Sequence, residues 1–266
     1  MARYEYPLDN QWKAARERLG RLEAAWDPWT IRCLLRVGVG EGWRCLEIAG
    51  GGGSIADWLC RRVGPSGNVV ATDLQPHFLE ALGASNLEVL QHNIISDPLP
   101  DAGFDLVHAR ALLTFLPEPE RALAKMLAAL KPGGWLLVEE PDYISGTADP
   151  TMPPEAIALS EKGWDAMLHQ LRSQGYDTEL GRHLYHDVTI TGLTDVQAEG
   201  FVAMQLGGNP WGPFWRITFE QLEDRIVGAG LLNRDECEAY RALLVSPTYR
   251  WLNPVCMSVW GQRSSA

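Results

Sequence analysis

Hydrophobic positions follow two alternating rhythms along the first half of this chain. Short continuous apolar runs predict strands, and apolar residues returning every third or fourth place predict helices. Trp12, Ala15, Leu19, Leu22, Ala25 and Trp26 keep the helical spacing, so residues 11–37 read as helix. Asp27-Pro28 should break or kink that run, and a second helix then starts with Pro28 in its first turn. Strands are expected at 43–48, 68–72, 87–90, 104–109 and 135–138, with helices at 55–63, 76–84 and 119–130 between them. Such alternation implies a parallel sheet with helices on both faces. After Pro141 the rhythm changes. Residues 141–155 are rich in Asp, Gly, Thr and Pro and read as a loop. Helices follow at 155–173, 214–229 and 234–245, and strands at 196–204 and 254–262. Gly163 should weaken the first of these helices slightly. Asn233 and Glu236 have the spacing of a capping box for the last. Gly207 to Pro213 reads as a stiff aromatic loop carrying Trp211.

The first strand runs directly into four glycines, Gly50 to Gly53, and a helical pattern begins at Ile55. Glycines permit a tight turn and close approach of a ligand to the backbone. The helix start behind them offers unpaired amide groups. Asp73, at the end of the second strand, is placed to accept both hydroxyls of a ribose. Together these describe a nucleotide-cofactor crevice. Gly51-x-Gly53-x-x-Ala56 also fits a dinucleotide fingerprint with Ala in the third place. Glu47 favours a different cofactor. A carboxylate at the end of the first strand would repel a pyrophosphate and suits a cationic ligand.

These residues resemble the class I S-adenosylmethionine-dependent methyltransferases. Glu47 holds the acid of that family's first motif, Gly51 and Gly53 hold its second and third glycine places, and Ala49 stands where the first glycine is usual. Asp73 matches the ribose-binding acid. Asn93 stands at the adenine-edge acid, where its carbonyl can still meet an amino group. Leu130-Lys131-Pro132-Gly133-Gly134 followed by WLLVEE matches the later motif, and GRHL at Gly181 to Leu184 resembles the opening of a further helix. A His pair common near 114 and 115 is replaced by Thr114 and Phe115. The resemblance covers roughly residues 30 to 141. It implies a Rossmann-like, doubly wound α/β fold with a seven-stranded, mostly parallel sheet whose last strand is antiparallel. It implies S-adenosyl-L-methionine as cofactor, held by Glu47, Ala49, Gly50, Gly51, Gly53, Asp73, Leu74, His92, Asn93, Ile94, Ala109 and Arg110.

The expected organisation is a single methyltransferase domain over 1–266. Helices at 1–40, with Tyr4, Tyr6, Trp12, Trp26 and Trp29, begin it. Insertions near 141–190 and 207–250 are expected to cap a small substrate, with Trp211 as the lid residue ahead of Trp164; the rival role for these segments is a homodimer surface or plain packing. Methyl transfer from a sulfonium needs alignment and exclusion of water more than a catalytic constellation. A base, where one is required, is sought among His169, His183 and His186 in the inserted segments. Arg110 or Arg182 could receive an acidic substrate, and His108 in the fourth strand reads equally as a satisfied core residue. The expected function is methylation of a small, largely apolar or aromatic metabolite, in secondary metabolism. The alternatives are a non-methylating reaction on the same fold (decarboxylation, hydroxylation or cyclisation) and a noncatalytic cofactor-binding protein.

Composition narrows the partners. A formal net charge of -11 disfavours nucleic acid and polybasic membrane contact. Five dispersed Cys give neither a disulfide framework nor a metal-ligand spacing. The start has no apolar stretch of signal-peptide form, so the cytoplasm is the default compartment.

Overall fold

A computed structural model describes residues 6–99, 102–206 and 209–265. Tyr4 and the start of the aromatic loop at Gly207 and Gly208 lie outside the described residues. The chain opens with α1 (Ala15–Val37), β1 (Arg44–Ile48), α2 (Ser54–Val63), β2 (Asn68–Asp73), α3 (His77–Glu80) and β3 (Leu87–Gln91). It continues through β4 (Phe104–Arg110), α4 (Pro119–Ala129), β5 (Leu130–Asp142), β6 (Thr147–Ala148), α5 (Pro154–Ser173) and α6 (Leu180–Thr189). It ends with β7 (Thr194–Phe201), β8 (Met204–Leu206), α7 (Trp211–Gly228), α8 (Arg234–Leu244), β9 (Arg250–Leu252) and β10 (Val255–Gln262).

Seven strands form one sheet in the order β3-β2-β1-β4-β5-β10-β7. β1 is parallel to both β2 and β4, β2 to β3, and β4 to β5, while β10 runs antiparallel to β7. The fold is the expected Rossmann-like one. Strand order reverses between β1 and β4, and ligands in such sheets bind outside the carboxyl ends of the strands at that reversal.

The chain divides into two compact units. The sheet unit comprises Trp26–Pro141, Glu179–Phe201 and the chain from Cys256 onward. The helical unit comprises the chain up to Ala25, Asp142–Thr178 and Val202–Val255. The expected insertion of 141–190 therefore divides. α6 belongs with the sheet because it packs on β7 and buries Leu180, Leu184 and Val188.

The sheet unit is held by a core that α1 and α2 close from the helix side. Cys33, Leu34 and Val37 of α1 and Ile55, Leu59 and Val63 of α2 pack with Cys45, Val69, Leu106, Leu137 and Trp260 from five strands. Burying each large apolar side chain here contributes about 1.5–3 kcal/mol. α1 also departs from expectation, since it runs without a break through Pro28. Pro28 lacks the N–H that would bond the Ala24 carbonyl, at a cost of about 3 kcal/mol. Buried residues on both sides, Ala15 and Leu19 before it and Trp26 and Leu34 after it, hold the two halves in helical register. α3 is shorter than the spacing predicted, because Leu82 and Gly83 turn away with Gly83 at φ 62°.

In the helical unit, α5, α7 and α8 pack on one another beside a small antiparallel sheet, β6-β9-β8. Strands this short carry no legible period. Trp164 packs against Tyr143, Trp215 and Trp251, and donates its indole N–H to the Tyr143 carbonyl at 3.1 Å. Trp211 is not in a loop. It is the first residue of α7, only 3% exposed, set edge-on to Phe214 and stacked on Trp215. Its place is this unit's own aromatic core, which corrects its assignment as a lid residue. The capping box on α8 forms as expected, with the Asn233 side chain accepting from the Glu236 amide at 2.9 Å.

Gly163 proves to be a packing requirement of α5. A Cβ there would clash with the ring of Tyr240, a buried residue of α8. Ala favours helix over Gly by about 1 kcal/mol, but an overpacked core costs about 1–3 kcal/mol. Gly163→Ala is therefore expected to lower the stability measured by urea denaturation. An unchanged or raised midpoint would show that α5 and α8 have slack at this crossing.

Candidate active site

β1 ends at Ile48 and the chain enters three left-handed conformations in quick succession. Ala49 has φ 56°, Gly51 φ 55° and Gly53 φ 91°. Glycine meets this geometry without strain, so Ala49 holds a conformation that costs an L-residue about 1 kcal/mol. The turn is also tight: a Cβ on Gly50 would come within 3.0 Å of Leu79, and one on Gly53 within 2.9 Å of Leu82. Gly53 then stands at the N-cap of α2 with no side-chain cap.

Asp73 ties this turn to β2. Its Oδ2 accepts from the Gly51 amide at 3.0 Å and its Oδ1 from the Gln75 amide at 2.9 Å. Burial raises the Asp73 pKa above the usual carboxylate value, and the amide hydrogen bonds oppose that rise. The residue expected to hold a ribose thus also braces the loop. Beyond it, Leu74 is exposed. At the end of β3, His92 bonds the Pro98 carbonyl through Nε2 at 3.2 Å, and Asn93 Oδ1 accepts from the Ile95 amide at 2.9 Å. Ile94 is buried, and Lys125 donates to the carbonyls of Ile94, Ile95 and Asp97. His92 therefore fixes the loop that carries Asn93.

The densest chemistry lies along the middle strands. Parallel register sets Glu47 of β1 beside His108 of β4 and Arg110 of β4 beside Glu139 of β5. His108 is fully buried, with Nδ1 2.5 Å from Glu47 Oε2 and Nε2 3.3 Å from Glu139 Oε2. Burial alone would lower its pKa, but the two carboxylates outweigh burial and raise it to about 9. His108 is consequently an imidazolium donating on both sides. Glu139, also fully buried, is held below the usual carboxylate range by His108 and Arg110 against the opposing effect of burial. It accepts from Thr30 Oγ1 at 2.6 Å and from Ser258 Oγ at 2.5 Å. Trp29 donates to Ser258 at 3.0 Å. Arg110 donates to Thr30 at 2.9 Å and to Asp27 at 2.9 Å.

Arg110, a candidate for substrate and cofactor, directs its guanidinium to Thr30 and Asp27 of α1. Ala109 is wholly buried, paired in register with Ile48 and Val138. Glu140 is a second fully buried acid. Its carboxylate accepts from the amides of Leu112 at 2.9 Å and Leu113 at 2.6 Å and from the Thr114 hydroxyl at 2.9 Å. Burial pushes its pKa up to about 7 despite those donors. It pins the loop after β4, where Ala111 has φ 51°.

The three His sought as bases divide between the units, His183 and His186 with the sheet and His169 with the helices. His169 lies on an exposed face of α5 in the helical unit. His186 is exposed on α6. His183, one turn earlier on α6, pairs through Nδ1 with Asp187 at 2.6 Å. The residues that sequence reasoning missed are Thr30, Ser258 and the pairing of His108 with Glu47. One signal was present: Glu47 and His108 each stand one residue before the last buried position of their strand, Ile48 and Ala109.

Residues 46–138 match the family model described as a methyltransferase domain. Methyltransferase str3 of Strobilurus tenacellus is 28% identical over 237 residues, which cover 86% of this chain and 80% of that protein. Ubiquinone/menaquinone biosynthesis C-methyltransferase UbiE of Francisella tularensis subsp. novicida is 35% identical over 120 residues, 42% of this chain. The matched part spans 48% of UbiE, so the likeness reaches about half of that protein. Among solved structures, phosphoethanolamine N-methyltransferase 2 of Haemonchus contortus, in complex with phosphomonomethylethanolamine and S-adenosylhomocysteine, superposes with a TM-score of 0.60. The two are 13% identical, and the match covers 99% of this chain and 61% of that one, a likeness of fold. With the glycine turn, Asp73 and the sheet order, these matches show a methyltransferase domain of the class I, S-adenosylmethionine-dependent kind over residues 46–138. Its cofactor is S-adenosyl-L-methionine.

The buried imidazolium makes stability depend on pH. The folded pKa of His108, about 9, lies above the ordinary imidazole value of 6.5. Its contribution is therefore fully present below pH 6.5 and is lost as pH rises through about 9. Urea midpoints of the wild type should fall across this window. His108→Gln should lower stability by about 3–5 kcal/mol near pH 6, because it removes the cation between two buried carboxylates, and should flatten the alkaline fall. A variant that keeps the same fall would place its origin in another group.

Proposed function

We propose that this protein transfers a methyl group from S-adenosylmethionine to a small, largely apolar or aromatic metabolite, as a step in secondary metabolism. One observation carries the cofactor side of this reading. The network behind the glycine turn, buried at Glu47, His108 and Glu139 and partly exposed at Arg110 and Asp27, holds three carboxylates against two cations. The remaining negative charge stands in β1, where it favours a cationic ligand. Glu47 is 4% exposed, and His108 occupies only its Oε2. The other carboxylate oxygen is assigned to the cofactor's ammonium end. Asp73 is assigned to the ribose hydroxyls, and Leu74, Asn93 and Ile94 to the adenine.

When bound, S-adenosylmethionine supplies a methyl group already activated by its sulfonium. The chain's own work is then to bind, to align and to keep water away. The buried strand ends, Ile48 and Ala109, offer a dry wall for that purpose. His108 is unsuited to deprotonate an acceptor, since it is buried and already charged. Of the candidate bases, His183 is retained because Asp187 orients its ring. Arg110 is assigned a positioning role through Thr30 and Glu139.

Calorimetry tests the reading. S-adenosylmethionine and S-adenosylhomocysteine should bind, and NAD should not. Asp73→Asn keeps the size of the side chain but turns an amide N–H₂ toward donors, and should weaken cofactor binding at least about tenfold. It should also loosen the Gly51 turn, seen as a modest fall in the urea midpoint. Preferred binding of NAD, or an unchanged dissociation constant in Asp73→Asn, would sink the assignment. Mass spectrometry of acceptor products should show one methyl in place of one hydrogen.

A further inference from the structure

Two neighbouring strand ends in the sheet unit are finished in the same way. β1 and β4 lie side by side at the reversal of strand order, with Ile48 paired to Ala109. Each strand is followed at once by an alanine in the left-handed region, Ala49 at φ 56° and Ala111 at φ 51°. Each following loop is braced by a buried carboxylate from the strand on its outer side. Asp73 of β2 accepts from the Gly51 amide beyond β1. Glu140 of β5 accepts from the Leu112 and Leu113 amides and the Thr114 hydroxyl beyond β4. Asp73 is assigned to the ribose. Glu140 is wholly buried and can act on a ligand only through its loop.

Stability does not account for Glu140. Its donors are neutral groups, and a buried ion without an opposite charge is costly. Burial raises its pKa from 4.5 to about 7 despite those donors, so its ionisation lowers stability as pH rises through that interval. Among the described residues, no cation faces it. The loop from Ala111 to Leu116 carries no titratable side chain. α4 packs on β4 and on the short turn Leu113–Phe115 through buried Ala122, Leu123 and Met126. Of the charged residues of α4, Glu120 is exposed, Arg121 pairs with Glu118, and Lys125 donates to the loop after β3. β10, on the other side of β5, has no charged residue. Along β5 itself, Glu139 lies on the opposite face, and Asp142, on the same face as Glu140, is another acid.

What the carboxylate supplies is shape. Its Oε1 takes two consecutive amides and its Oε2 the next hydroxyl, which fixes the bend that follows left-handed Ala111. We propose that Glu140 is a positioning residue for the cofactor: it holds the loop after β4 as the wall of the crevice beside the glycine turn. The inference rests on the S-adenosylmethionine reading of that crevice. A carboxylate accepts hydrogen bonds more strongly than a neutral acid. The wall is therefore firmest, and the cofactor bound most tightly, when Glu140 is ionised. On protonation the proton sits on Oε2 and is donated to Thr114 Oγ1, the one partner that can exchange donor for acceptor. The Leu112 and Leu113 amides then stay on Oε1 through weaker bonds.

Glu140→Gln imitates the protonated state at every pH, because its amide oxygen can serve Leu112 and Leu113 while its N–H₂ donates to Thr114. Binding of S-adenosylhomocysteine is measured by calorimetry from about pH 6 to about pH 8.5 in both proteins. Urea midpoints and hydrogen exchange of residues 111–116 are measured alongside. Wild-type affinity should rise at least about threefold across this range, centred near pH 7. The variant should keep the wild type's low-pH affinity throughout. At the alkaline end it should exchange faster in 111–116 yet be as stable as the wild type or more so, because an uncompensated charge has been removed. A role in stability alone would move the urea midpoint and leave the affinity of the folded protein unchanged. Equal affinities at the alkaline end, or parallel pH profiles, overturn the proposal. Should Glu140→Gln not fold, Glu140→Asp decides, since it keeps the charge and withdraws it by one methylene: binding at least about threefold weaker at the alkaline end supports the proposal, and equal binding overturns it. Failure of the wild type to bind S-adenosylhomocysteine at any pH would count against the cofactor reading. The exchange arm would still report on Glu140, and equal exchange in both proteins would show that it does not hold the loop.

Discussion

An imidazolium held between two carboxylates joins the middle of this sheet. His108 bridges Glu47 and Glu139, so β1, β4 and β5 share one buried charge cluster. Thr30 and Ser258 extend it to α1 and β10. The groups are mutually dependent. Without His108, Glu47 loses its buried partner and Glu139 keeps only Thr30, Ser258 and the more distant Arg110. Without either carboxylate, the imidazolium loses the interaction that offsets its desolvation. Ion clusters of this kind contribute less to stability than an apolar core of the same volume, and breaking one is expensive. Their effect is to fix which strand end stands beside which.

That constraint reaches the cofactor crevice through Glu47. The acid is the last polar residue before the glycine turn, and its orientation is set from behind by a ring that cannot rotate without losing two bonds. Asp73 anchors the same turn from β2 through the Gly51 amide. Glu140 fixes the loop after β4 by three short bonds. The loops at the strand ends are therefore held by buried carboxylates, and each must remain ionised or hydrogen-bonded for its loop to keep its shape.

The helical unit follows a different logic. Its interior is aromatic, with Trp164, Trp211, Trp215 and Trp251 packed around Tyr143. Aromatic composition alone suggested a substrate lid, because rings that line a pocket and rings that fill a core are the same residues. Gly163 shows the same ambiguity. As a sequence feature it weakens a helix, and as a packed residue it makes room for Tyr240.

The sequence by itself determined the order of strands and crossover helices, the glycine turn with Asp73 and Glu47, and the capping box at Asn233. Each depends on spacing within a few residues, where local sterics and hydrogen bonding act. The tertiary structure alone decided the partners that lie far apart in the chain. Pairing of Glu47 with His108 and Glu139 requires strand register. Capture of Arg110 by Asp27 and Thr30 requires α1 to run unbroken through Pro28. Burial of Trp211 and of the Arg18 side chain requires knowing which atoms lose water, and no local pattern records desolvation.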